Sequence, residues 1–234
     1  MGAELALVTG ASKGIGRSVA KNLAKVGLKI FATARNVSQL ESLKNEIEDN
    51  SGTCRIFPAE LTAENEINRL IKDILKEADK ISLLIHCAGI AKTGTVEKMS
   101  FSEWQSTIDI NLSSPFLLSQ KCIPHLAANA HIFFLNSVAG NQTFPEWSAY
   151  CASKWGLRAL ADTLRQELVS QGVKVTSIFS SSVDTPMQDQ LPYDWDRRKM
   201  LYPDDVAKAL LNCYQQPAHV QIKDIHLENL AGTF

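Results

Sequence analysis

Short runs rich in aliphatic and β-branched residues recur at 5–9, 29–34, 55–57, 82–86, 131–135, 173–179 and 225–227, and stretches of helical spacing separate them. This alternation limits the fold more than any other feature. Parallel strands cannot be joined by a tight hairpin; they need a crossover of about a dozen residues or more, usually a helix. The pattern therefore predicts an α/β chain with a parallel, seven-stranded sheet covered by helices on both faces, a doubly wound Rossmann-type domain. Helices are expected from Val19 to Val26, where Gly27 stops the first, and from a Ser38 cap to about Asp49. Others are expected at 64–78, 102–124 with a bend at Pro115, from near Tyr150, and at 204–214. No linker, repeat or low-complexity segment divides the 234 residues, so 1–234 is read as a single domain.

Composition removes several function classes. Apolar residues make up 45% and charged residues 21%, as in ordinary globular proteins, and the net charge of −1 gives no excess to attract a polyanion. Nucleic acid is not an expected partner. The five cysteines are scattered, odd in number and without a CxxC pair, which suits buried thiols in a reducing compartment. The stretch MGAELALVTG has no basic leader, and no apolar run approaches the ~20 residues that span a bilayer. A cytoplasmic protein without a membrane partner is expected. The five histidines lack ligand spacing, so no metal is expected, and no G-x-S-x-G elbow is present.

The turn after the first strand reads TGASKGIG at 9–16. Gly10 permits a tight turn, Gly14 close approach of backbone to a phosphate, and Gly16 contact of helix with sheet. The N–H groups at the helix start would then face an anion. In NAD-binding domains a carboxylate about 20 residues on holds the ribose 2′-hydroxyl. Here the position 19 residues past Gly16 is Arg35, preceded by Ala34. A guanidinium fork suits a 2′-phosphate, and Lys13 adds a second positive charge, so NADP(H) is the expected cofactor.

Ser137 ends the fifth strand at the carboxyl edge of the sheet, where ligands of such folds bind. Thirteen positions later Tyr150 opens a helix, with Lys154 one turn further on the same face. The three can converge. A phenol of pKa about 10 is a poor proton exchanger near neutrality; bringing it to about 7–8 takes ~3–4 kcal/mol, which a nearby ammonium and the positive nicotinamide of the oxidised complex can supply in a partly desolvated cleft.

With these elements the chain resembles the short-chain dehydrogenase/reductase family over nearly its whole length. The family's TGxxxGxG falls on 9–16, its YxxxK on Tyr150 and Lys154, its serine on Ser137 and its asparagine on Asn111. The resemblance implies Ser137 hydrogen-bonded to a carbonyl oxygen, Lys154 also holding ribose hydroxyls, and Asn111 keeping a water between Lys154 and solvent. It further implies a cofactor wall of Gly10, Ser12, Lys13, Gly14, Ile15, Gly16, Arg35, Glu60, Leu61, Cys87, Ala88, Gly89, Tyr150, Lys154, Val183 and Thr185. Three stretches depart from the family pattern. Cys87 replaces an asparagine in His86-Cys-Ala-Gly89, Glu60 stands where an aspartate is usual, and Ser180-Ser181 replaces Pro-Gly.

Residues 186–202 are the expected substrate lid. Its Met187, Leu191, Tyr193 and Trp195 suggest apolar contact, while Arg197, Arg198 and Lys199 could meet an anion or only water. The leading expectation is an NADPH-dependent carbonyl reductase exchanging a hydride with a small carbonyl or alcohol compound. A 3-oxoacyl-[acyl-carrier-protein] reductase and a non-catalytic NADP(H) sensor are the alternatives. Such chains commonly pair through the long helices, so a homodimer or homotetramer is expected.

Overall fold

A computed structural model describes residues 4–230. The strands are β1 (Leu5–Thr9), β2 (Lys29–Thr33), β3 (Thr53–Ile56), β4 (Ile81–His86), β5 (Leu126–Ser137), β6 (Lys174–Ser180) and β7 (Asp224–Leu227). They form one sheet in the order β3-β2-β1-β4-β5-β6-β7, with every neighbouring pair parallel. The helices are α1 (Gly14–Lys25), α2 (Val37–Asp49), α3 (Glu64–Ile74), α4 (Phe101–Ile108), α5 (Ser114–Cys122), α6 (Ser148–Leu168) and α7 (Pro203–Tyr214). Strand order reverses between β1 and β4, and a crevice opens at such a point beyond the carboxyl ends of the strands.

All of β1 is buried, which only a strand covered on both faces requires. Side chains alternate across it. Ala6 and Val8 join Ile30 of β2 in a core with Val19 and Leu23 of α1, Leu40 and Leu43 of α2, and Val206 and Leu210 of α7. Leu5 and Leu7 join Phe31 on the other face, against Ile67 and Ile71 of α3, Leu118 of α5, and Leu157 and Leu164 of α6. Each such buried aliphatic side chain contributes about 1.5–3 kcal/mol.

Local differences from expectation have local causes. The cap of α2 is Asn36, whose side chain accepts from Gln39 N at 3.0 Å, while Ser38 donates to that same oxygen at 2.9 Å. The expected helix over 102–124 is interrupted by a π-helical turn, Asp109–Ser113, where Ser114 N–H donates five residues back to Asp109 O. Pro115 lies in the first turn of α5 and has no N–H to return to the Asn111 carbonyl four residues before it. The interruption thus precedes the proline. Among the described residues, no helix is long and apolar enough to cross a membrane, and no group of His, Cys, Asp and Glu could hold a metal ion.

Candidate active site

Beyond the carboxyl ends of β1, β4, β5 and β6 lies one continuous cavity of about 500 Å³. At one end is the glycine turn. Gly10 has φ +62°, and a Cβ there would meet Ala88 Cα at 2.8 Å, so this residue also lets the β4 turn close in. A Cβ on Gly16 would strike the Gly10 carbonyl, which keeps α1 tight against the turn. Gly14, at φ +55°, faces Thr185, and its added Cβ would lie 3.2 Å from Thr185 Cγ2. The glycine expected to admit a phosphate also touches the segment that follows β6.

The helix begins without a side-chain cap on Lys13 and without an acidic residue in its first turn. Its leading N–H groups are therefore left to a ligand in the cavity that Ser12, Lys13, Gly14, Ile15 and Gly16 line. Donors of this kind fit a diphosphate. At the mouth of the same end, Arg35 is 74% exposed and lies 3.4 Å from the Glu60 carboxylate. Glu60 also accepts from Thr62 N at 3.3 Å and Thr62 Oγ at 3.0 Å, so its carboxylate is taken up by Arg35 and its own loop. Leu61 lines the wall beside it.

The departure at Cys87 has a structural answer in Thr9. Its hydroxyl donates to Ile85 O at 3.2 Å and accepts from Cys87 N at 3.0 Å and Ala88 N at 3.1 Å. One buried side chain thereby fastens the β4 turn through backbone atoms, whatever residue occupies 87. Cys87, Ala88 and Gly89 all line the cavity. Burial pushes the Cys87 thiol up, away from the thiolate.

Ser137, Tyr150 and Lys154 meet at the middle of the cavity. Ser137 Oγ accepts from Ala139 N at 3.2 Å and is hydrogen-bonded to Tyr150. Lys154 Nζ lies 5.6 Å from the centre of the Tyr150 ring and donates to Leu135 O at 2.7 Å. Its burial pulls its pKa down to about 8, and desolvation pushes Tyr150 up to about 12, outweighing the Ser137 hydrogen bond. The chain's own groups thus hold the phenol above its ordinary value, and the expected lowering counts on the positive nicotinamide of the oxidised complex as well. Burial of the phenol is the largest cause, and the ammonium that could offset it is turned to the Leu135 carbonyl.

Asn111 does not line the cavity. It is buried in the π-helical turn, donates to Ile90 O at 2.9 Å and Ser153 Oγ at 3.0 Å, and accepts from Ile90 N at 2.9 Å. Ser153 Oγ in turn donates to Tyr150 O at 2.7 Å. Asn136 does the same for the end of β5, accepting from Ser137 N at 2.9 Å and donating to Lys154 O at 3.2 Å. The roles of Thr9, Asn136 and Ser153 escape sequence reading because each bonds an atom far along the chain: Thr9 the backbone of 85–88, Asn136 the Lys154 carbonyl, and Ser153 the Asn111 amide.

Val183 and Thr185 line the cavity after β6. Ser180 and Ser181, which replace the family's Pro-Gly, are buried, and Ser181 N–H donates to Leu227 O at 2.9 Å, so the chain stays bonded to β7 just past the end of β6. Within 186–202, Arg197 is clamped by Asp184 and Asp189, and Arg198 folds onto Asp196. Both guanidinium groups, read as open to a substrate anion or to water, thus have carboxylate partners close by in the chain.

Comparisons with known proteins bear on the family and the fold. A family model described as short chain dehydrogenase matches residues 4–195. An uncharacterized oxidoreductase of Staphylococcus saprophyticus is 31% identical over 225 residues, covering 95% of each chain. Another, from Staphylococcus aureus, is 30% identical over 224 residues with the same coverage. Among solved structures, a metagenomic short-chain oxidoreductase in complex with NADP has a TM-score of 0.85 at 27% identity, over 97% of both chains. An alcohol dehydrogenase from the archaeon Thermococcus sibiricus, complexed with 5-hydroxy-NADP, has a TM-score of 0.92. It covers 98% of this chain and 97% of that one at 22% identity, a likeness of fold.

Proposed function

The chain belongs to the short-chain dehydrogenase family, and from that premise we propose that it is an NADP(H)-dependent oxidoreductase interconverting a carbonyl compound and its alcohol. The observation that carries this is the meeting of Ser137, Tyr150 and Lys154 in the same cavity as an uncapped helix start. Arg35 and Lys13, with no acid at position 34 or 35, support the phosphorylated dinucleotide. The NADP carried by the 27% identical metagenomic oxidoreductase supports it too. When bound, the nicotinamide supplies or accepts the hydride at the carbonyl carbon.

The chain's own residues handle the other half of the balance. Ser137 positions the substrate oxygen by a hydrogen bond. Tyr150 gives a proton to that oxygen on reduction and takes one back on oxidation. Its phenol must fall well below about 12 to do so, and Lys154 is the group able to bring this about. Swinging Nζ from Leu135 O toward the phenol oxygen places a positive charge within the ~4–6 Å at which opposite charges favour ionisation. Asn111, Asn136 and Ser153 position the turn and helix that hold these groups.

The paired state of Arg197 and Arg198 makes an acidic carrier protein a poorer substrate than a small molecule. Residues 1–234 act as one unit with 186–202 as the substrate lid, in the cytoplasm, where the five free thiols persist. Exposed Phe101 (76%), Phe116 (48%) and Trp155 (43%) on α4, α5 and α6 support assembly into a homo-oligomer through those helices. The decisive assay follows NADPH oxidation by the full chain against a panel of aldehydes, ketones and 3-oxoacyl thioesters. Turnover of small carbonyl compounds is expected. Tight NADPH binding with no turnover on any of them would leave the protein a sensor.

A further inference from the structure

The cavity is chemically divided. The charged side chains lining it are Lys13, Arg35, Glu60 and Lys154. The first three stand at the glycine-turn end, and Lys154 is turned onto the Leu135 carbonyl. The walls beyond Tyr150 include Phe144, Trp147, Met187, Leu191 and Trp195, none of them charged. A carboxylate or phosphate carried by a substrate would be desolvated there without a cation to compensate, which is costly.

The aromatic residues of this half are also ordered. The rings of Trp147, Tyr193 and Trp195 lie within 12° of parallel, with Tyr193 and Trp195 4.9 Å apart and Trp147 and Trp195 6.1 Å apart. Trp147 meets Tyr150 edge-on at 5.4 Å and 71°, so the stack ends at the proposed proton donor. Tyr193 OH donates to Glu146 at 3.1 Å, which anchors the stack to the loop before α6 and sets a negative charge beside it. A ring sandwiched between two others needs about 7 Å, twice the ~3.5 Å carbon contact distance. The 6.1 Å between Trp147 and Trp195 is too small for that. A flat ligand would therefore lie against the cavity side of the stack.

We propose that this half of the site takes an uncharged carbonyl compound bearing an aromatic ring, the ring packed on Trp147 and Trp195 and the carbonyl oxygen in reach of Ser137 and Tyr150. The inference rests on the oxidoreductase reading above. It is tested with phenylacetone and cyclohexylacetone, whose carbonyl groups are alike and whose rings differ, together with the 4-carboxylate of phenylacetone. Measured on the full chain with NADPH, kcat/KM should favour phenylacetone over cyclohexylacetone by about fivefold or more, as one aromatic pair allows. The carboxylate should be the poorest of the three. Trp195→Leu, which leaves Trp147 in place, should lower the phenyl-to-cyclohexyl ratio by about twofold or more.

Equal kcat/KM for both rings would overturn the aromatic assignment while leaving the reductase intact, and a preferred carboxylate would overturn the requirement for no charge. If none of the three is turned over, the reductase reading is what fails for these probes. Calorimetric affinity of the NADP-loaded chain for the two neutral compounds then decides the ring assignment by the same ratio and the same variant.

Discussion

Tyr150 is held near pKa 12 and has to exchange a proton near neutrality, so its hydroxyl is the atom on which turnover should depend. Tyr150→Phe keeps the ring and its edge contact with Trp147. NADPH oxidation should fall by about 10²–10⁴ while NADPH affinity, read by fluorescence titration, is retained. Undiminished turnover would remove Tyr150 from the proton's path. Lys154 makes the opposite trade. Its folded pKa of about 8 lies below the ordinary 10.5, so the folded chain binds fewer protons between those values and stability rises with pH across them. The burden, of order 3 kcal/mol, is present in full below pH 8. Lys154→Met frees this but strands the Leu135 carbonyl, at about 1–2 kcal/mol. The variant should unfold a few degrees higher at pH 7, lose that advantage between pH 8 and 10.5, and have no turnover. A Tm gain unchanged at pH 10 would contradict the buried charge. Tyr150 and Lys154 are legible in the sequence because helical spacing alone puts them on one face. The ammonium's choice of a carbonyl over the phenol is not, since it depends on how closely the end of β5 approaches α6.

At the scale of elements, the π-helical turn is where spacing misleads. A continuous apolar pattern and one proline suggest a bent helix over 102–124, yet the chain inserts a wide turn so that Asn111 can face Ile90. That need is set by a loop twenty-one residues upstream, and no local pattern carries it. Asn111→Ala removes three hydrogen bonds at a buried position, a loss of about 2–3 kcal/mol. For a chain of this size that lowers Tm by roughly 5–10 °C. Asn111→Asp keeps the acceptor for Ile90 N and should fall between Ala and the native chain in differential scanning calorimetry. If Ala and Asp unfold together at the native temperature, the turn does not depend on these bonds. The strands were easier to read because β1, most of β4 and the 132–135 stretch of β5 are buried and apolar.

For the whole molecule, the parallel, helix-covered sheet follows from crossover helices and was legible from alternation, whereas the order of its strands was not. How many copies assemble was not, because a surface aromatic looks the same in sequence whether it meets water or a partner. Phe101, Phe116 and Trp155 lie exposed on three neighbouring elements. Analytical ultracentrifugation should give a dimer or tetramer, and Trp155→Glu should shift it toward monomer by placing a charge in an apolar contact. A native monomer at tens of micromolar would dismiss the assembly.

The separation of charge along the cavity has a further effect, on the sense in which a long ligand can enter. Lys13 and Arg35 favour the anionic tip of a dinucleotide, and the tryptophan-lined end rejects it, so the two possible orientations differ greatly in energy. The cleft behaves as a keyed socket: a reversed molecule finds no free counter-ion among the tryptophans, leaves, and tries again the other way round.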